Sequence, residues 1–269
     1  MRSLEQPPGL APPRPSPTVW RQWLTAALDL VFPPFCPVCA QRLGSARRDP
    51  LCGDCWAGLE RVSTPGCAVC GLAFVGFAGP SEPTGGAAAT GRGTCGACRR
   101  RRPAFAYARA AAHYGDHARG ALHAFKFGGR RALAAPLGDL LAELGPALPL
   151  PAVDLMVPVP LHPRRERERG FNQSWLLARR VAAAWGITAR EDVLTRRVAT
   201  APQTALGAEA RQANVAGAFR VRRPELVAGR HVLLVDDIMT TGATAGACAR
   251  ALREAGAATV GVVTVARAG

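Results

Sequence analysis

The chain has 269 residues, 48% of them hydrophobic and 20% charged, and carries a formal net charge of +15. That apolar fraction excludes a mostly disordered protein, and the length accommodates one full α/β domain and something smaller. Lys126 is the only lysine, so the positive balance is almost all arginine; it favours anionic partners, diphosphate or nucleic acid, without choosing between them.

Residues 1–19 are Pro-rich and polar, and read as a disordered tail. The following stretch, 20–32, places Trp20, Trp23, Leu24, Ala27, Leu28 and Val31 on one side of an amphipathic helix. It is too short and interrupted to span a membrane, and nothing ahead of it has the pattern of a secretory signal. The expected address is the cytoplasm, where disulfides are rare and clustered cysteines usually mean metal.

Eight of the nine cysteines form four Cys-x-x-Cys pairs: Cys36/Cys39, Cys52/Cys55, Cys67/Cys70 and Cys95/Cys98. A two-residue gap in a tight turn aims both sulfurs at one tetrahedral ion, so four pairs predict two structural Zn²⁺ sites. Two zinc ions held by eight thiolates would lower the formal charge to about +11. The simplest arrangement puts the first two pairs on one ion and the last two on the other; a crossed arrangement fits the spacing too. Removing the zinc is expected to unfold the first hundred residues and spare the rest. A Gly/Ala/Pro-rich insert, 76–93, separates Cys70 from Cys95 and reads as a loop. Cys248, the ninth, sits among small residues and reads as core.

The four arginines at 99–102 directly follow Cys98 and form a basic patch or a solvated linker. Pro103 marks the expected boundary between a zinc module, 20–103, and a second domain, 104–269. In that domain 108–114 reads as a first strand and 118–127 as a helix ending at Gly128. Residues 154–161 form a second buried strand, followed by a loop carrying Arg164, Arg165, Arg167 and Arg169 before a helix near Asn172. These basic groups would face the carboxyl end of the sheet, where open α/β sheets bind ligands. No Ser/His/Asp constellation and no histidine metal spacing occurs, which excludes the usual hydrolytic sites.

The most specific segment is Val232-Leu233-Leu234-Val235-Asp236-Asp237-Ile238-Met239-Thr240-Thr241-Gly242-Ala243-Thr244. Four aliphatic residues suit a buried parallel strand. Two carboxylates follow, and then a hydroxyl- and Gly-rich turn runs into a helix over 245–255. Such a turn wraps N–H groups and hydroxyls around a phosphate at the positive end of the helix dipole. The carboxylates suit the hydroxyls of a sugar diol beside it. Together these features describe a pentose 5-phosphate site.

All thirteen positions resemble the phosphoribosyl-diphosphate (PRPP) signature of type I phosphoribosyltransferases. Val157-Pro158-Val159-Pro160, Arg167-x-Arg169-Gly170-Phe171-Asn172-Gln173-Ser174, Gln203-x-x-Leu206 and Arg211-x-x-Asn214 extend the likeness to the ComF family over almost the whole chain. The resemblance implies an α/β fold: a parallel-sheet phosphoribosyltransferase-like domain preceded by a small zinc-ribbon module. It gives Asp236 and Asp237 the ribose hydroxyls, and Thr240, Thr241, Gly242, Ala243 and Thr244 the 5-phosphate. Arg167, Arg169 and Lys126 would approach the diphosphate, and residues 196–214, with Arg196, Arg197 and Arg211, would form a closing lid. The implied chemistry is Mg²⁺-dependent transfer of the pentosyl group from PRPP to an unknown acceptor, linked to competence, DNA uptake or DNA utilisation. The rival reading is a non-catalytic accessory protein that binds single-stranded DNA, partners DNA-uptake proteins and retains a PRPP site.

Overall fold

A computed structural model describes residues 34–44, 50–62, 66–74, 93–145, 148, 152–198 and 217–269. The expected tail, the leading helix over 20–32, the insert over 76–93 except Gly93, and most of the expected lid, Arg211 included, lie outside them. Two short helices, α1 (Gly53–Ala57) and α2 (Gly96–Arg100), belong to the cysteine-rich part. Then come β1 (Tyr107–His113), α3 (Asp116–Phe127), α4 (Ala134–Ala142), β2 (Leu155–Pro158), α5 (Pro163–Arg169), α6 (Gln173–Trp185), β3 (Leu194–Arg196), β4 (Phe219–Val221), β5 (His231–Met239), α7 (Ala243–Glu254) and β6 (Thr259–Arg267).

Four strands form one parallel sheet in the order β1-β6-β5-β2, and β3 with β4 makes a separate antiparallel pair. The sheet strands are nearly continuous apolar runs because both faces are covered, as parallel sheets require. On one side Phe125, Leu137, Leu141, Leu177 and Val181 from α3, α4 and α6 pack on Leu233, Val235 and Val263. On the other, Cys248, Ala249 and Leu252 of α7 pack on Leu234, Val260 and Val262. Cys248 is fully buried, as its small neighbours suggest.

Segment 163–169 departs from expectation, since it is a helix rather than a loop. Pro163 occupies its first turn, the His162 ring accepts from the Arg164 N–H at 3.3 Å, and Gly170 ends it in the left-handed region at φ 78°. These are ordinary start and stop devices, hidden by a composition that reads as a solvated loop. Asn172 then caps α6, its side chain accepting from the Ser174 N–H at 3.0 Å.

The cysteine-rich part is not a separate bead. It lines the outer edge of β1: Val62 N–H donates to Ala111 C=O at 3.0 Å, His113 N–H to Glu60 C=O at 2.7 Å, and Ala108 N–H to Val69 C=O at 2.6 Å. Gly71, at φ 68°, lets the backbone reach this edge; a Cβ there would lie 2.5 Å from the Ala108 carbonyl oxygen. Leu43, Leu51, Cys55 and Leu59 join the same core as Tyr107, Ala111 and Phe125. Cys67, Val69 and Cys98 join that of Phe105 and Ala108. The expectation that the second half would stand without the first conflicts with this shared packing. No helix among the described residues is long and apolar enough to cross a membrane.

Candidate functional site

The cysteines gather as two tetrads, Cys36/Cys39/Cys52/Cys55 and Cys67/Cys70/Cys95/Cys98. The tandem arrangement is therefore the one adopted. Within each tetrad the sulfurs lie within 4.8 Å of one another, with Cys39 and Cys52 at 3.5 Å and Cys70 and Cys95 at 3.7 Å. Four sulfurs at zinc-bond length around one tetrahedral ion are about 3.8 Å apart, so both sets fit Zn²⁺. Backbone N–H groups point at the sulfurs, as from Cys55 to Cys52 and from Cys70 and Cys95 to Cys67. Burial pushes the Cys36 and Cys67 thiols up, but the N–H groups of Cys52, Cys39 and Val38 at the first, and of Cys70, Cys95 and Val69 at the second, outweigh it and bring each down to about 6. Burial and the adjoining sulfurs push Cys55 and Cys98 far up. All four cysteines of a set could be thiolates together only beside a cation, the charge that a bound Zn²⁺ would bring.

The second feature is a cleft of about 710 Å³ at the carboxyl end of the sheet. Its floor is the end of β5: the strand runs on through Asp236 and Asp237 to Met239, rather than stopping before them. Thr240, Thr241, Gly242, Ala243 and Thr244 line one wall, with Gly242 at φ 77° turning the chain into α7. That left-handed residue is one only glycine adopts without strain. Across from it stand Arg164, Arg165 and Arg169 of α5. Lys126, His123 and Phe127 of α3, with Tyr114, close the third side.

Asp236, Asp237, Lys126, Arg169 and residues 240–244 thus share one cavity. Arg167 does not. It is exposed and absent from the lining, because helical spacing in α5 brings Arg165 and Arg169, four residues apart, onto the cleft and turns residue 167 away. Arg196, from β3, also lines the cleft. Residues 123, 127 and 114 had not been expected. Helix phase offered the signal, since residues 123 and 127 flank Lys126 on one stripe of α3.

The two carboxylates have different surroundings. Asp236 accepts from the Ser174 hydroxyl and from the Asp237 N–H, both at 2.9 Å. Asp237 is only 2% exposed. Its Oδ2 lies 2.6 Å from Lys126 Nζ, an ion pair whose alignment leaves that oxygen without a hydrogen bond among the described residues. Arg169 donates to the Gln173 side-chain Oε1 and lies over the Phe127 ring, 5.3 Å from its centre.

Burial pushes the Asp236 carboxyl up to about 6, against the pull of Lys126, Ser174, Arg196 and Arg169. Burial also brings Lys126 down to about 8, with Asp236 opposing and Arg169 assisting. Folded Asp236 holds its proton to higher pH than the ordinary 3.8, so its contribution to stability is lost as pH rises through about 6. Lys126 releases its proton below the ordinary 10.5, so its contribution is lost as pH falls through about 8. Between these limits both charges burden the fold. Asp236→Asn, an isostere that still accepts from Ser174, is expected to raise unfolding stability at pH 7 by roughly 1–3 kcal/mol. Urea titrations should also show a flatter decline between pH 4 and 6. Unchanged or lower stability at pH 7 would contradict this account of a half-buried, poorly solvated charge.

Residues 27–99 match the double zinc ribbon domain, and residues 176–269 the phosphoribosyl transferase domain. The DNA utilization protein YhgH of Salmonella typhi is 36% identical over 241 residues, covering 87% of this chain and 96% of its own. YhgH of Escherichia coli K12 is 37% identical over 174 residues, 62% of this chain and 75% of that protein. Competence protein F of Haemophilus influenzae is 31% identical over 182 residues, 65% and 78% of the two chains. With a likeness this extensive spanning both the cysteine-rich part and the parallel sheet, the chain belongs to the ComF family.

Proposed function

We propose that the cleft binds PRPP and transfers its pentosyl group to an acceptor, in the service of DNA utilisation. The observation that carries this reading is the meeting of three chemistries in one cavity: paired carboxylates, a hydroxyl-rich helix start, and a bank of arginines. The 5-phosphate would lie in the turn at residues 240–244, held by N–H groups and threonine hydroxyls. Asp236 and Asp237 would accept from the ribose hydroxyls, which would give Asp237 Oδ2 the hydrogen bond it does not make among the described residues. Arg165, Arg169 and Arg196 would take up negative charge developing on the diphosphate as it leaves. Lys126, ion-paired with Asp237, would turn to the diphosphate once the diol takes its place. Carboxylates beside a diphosphate also suit Mg²⁺, which when bound would neutralise part of the leaving group's charge.

A second reading, a single-stranded DNA-binding accessory with a PRPP site, draws on the exposure of all four arginines at 99–102. One experiment separates them. PRPP and Mg²⁺ are incubated with the protein and either free nucleobases or oligonucleotides, and diphosphate is measured. The transfer reading expects acceptor-dependent release that Arg169→Ala lowers by roughly 10²-fold or more. Oligonucleotide binding with no diphosphate from any acceptor would favour the accessory reading.

A further inference from the structure

Arg267, the last residue of β6, is 8% exposed. Its Nη2 lies 3.6 Å from the Cys70 sulfur, 197 residues away in the chain. Among the described residues its buried Nε and Nη1 have no hydrogen-bond partner, and no carboxylate forms an ion pair with it. A guanidinium keeps its charge at any accessible pH, and an unpaired buried charge is expensive. The fold should therefore hold an anion beside it.

The chemistry of the neighbouring group supplies one. Four thiolates around Zn²⁺ leave the tetrad net dianionic. Cys67, Cys70 and Cys98 are buried, so water does little to spread that charge. The first tetrad differs. Cys39 is exposed and Cys52 part-buried, and no arginine contacts its sulfurs among the described residues.

We propose that Arg267 is the counter-charge of the second zinc centre, making it a positioning residue that ties the C-terminal strand to metal held by the N-terminal half. Its backbone occupies a matching place. The Arg267 carbonyl accepts from Tyr114 N–H at 2.8 Å, and the next residue's N–H donates to Met239 C=O at 3.0 Å. Tyr114 and Met239 both border the cleft, and Met239 directly precedes Thr240. A metal-seated Arg267 thus holds together the strand ends on which the cleft is built.

The test uses the full chain loaded with two zinc ions, as wild type, Arg267→Lys and Arg267→Gln. Each is titrated with a competing chelator, and released cysteines are alkylated and assigned by peptide mass spectrometry. Far-UV circular dichroism of the loaded proteins checks that folding is retained. The Gln variant, which keeps donors but no charge, should surrender zinc from the Cys67–Cys98 tetrad about 10–100-fold more readily. Its Cys36–Cys55 tetrad should behave as in wild type, and the Lys variant should largely retain the second zinc. Equal retention by the Gln variant, or parallel loss of both ions, overturns the proposal, because a merely structural arginine would not discriminate between the centres. If the Gln variant does not fold, the Lys variant decides. Retained second zinc supports the charge assignment, and its selective loss overturns it.

Discussion

Stripping both zinc ions is expected to unfold the chain well beyond the cysteine-bearing segments. Structural zinc contributes an apparent ~10–16 kcal/mol to small zinc domains, comparable to or above the ~5–15 kcal/mol that holds a typical domain folded. The ribbon backbone at Glu60, Val62 and Val69 is hydrogen-bonded along β1, and Leu43, Leu51 and Leu59 belong to a core that includes Tyr107 and Phe125. Losing the metal would therefore bare a strand edge and open part of the main core. Hydrogen exchange should show Tyr107–His113 losing protection as the chelated zinc appears in solution. β1 amides that stay protected in metal-free protein would restore the picture of two independent halves.

Replacing both Asp236 and Asp237 by Asn should abolish stabilisation by PRPP with Mg²⁺. Each charge-assisted hydrogen bond lost costs roughly 1.5–3 kcal/mol, so the pair should weaken binding by about 10²–10⁴-fold. The measurement is a melting-temperature shift against PRPP concentration, with wild type as reference. Ligand-free protein is the necessary control, because Asp236→Asn by itself should stabilise the fold. An identical ligand-induced shift in the double variant would remove the diol assignment, and with it the transfer reading.

Local features were legible in the sequence to the degree that their cause is local. The strand of β5, the turn at Gly242 and the start of α7 follow from neighbouring residues, and so does the Asn172 cap of α6. Helix α5 was hidden because its arginines and glutamates read equally well as solvated loop, and that hid the difference between Arg165 and Arg167. The tetrad pairing could not be settled by spacing, since both arrangements satisfy the same turn geometry. Contacts such as Glu60 to His113 and Arg267 to Cys70 leave no periodic trace at all. They arise only once the sheet brings distant segments together.

The strand order carries a consequence for how the protein is made. In the sheet β1 is joined to β6, with Tyr107 opposite Gly261, while β6 itself lies between β1 and β5. On a ribosome β1 emerges long before the strand that will flank it, and every other described strand comes out in between. Such non-local pairing is slow, and a waiting apolar edge invites association with other chains. The ribbon segments at residues 60–62 and 69 are synthesised earlier still, and they bond the opposite edge of β1. Metal acquired during translation would let the nascent N-terminal half cover one of the two edges of β1 while the other waits for β6, halving the exposed edge and making zinc supply a determinant of yield as well as of final stability.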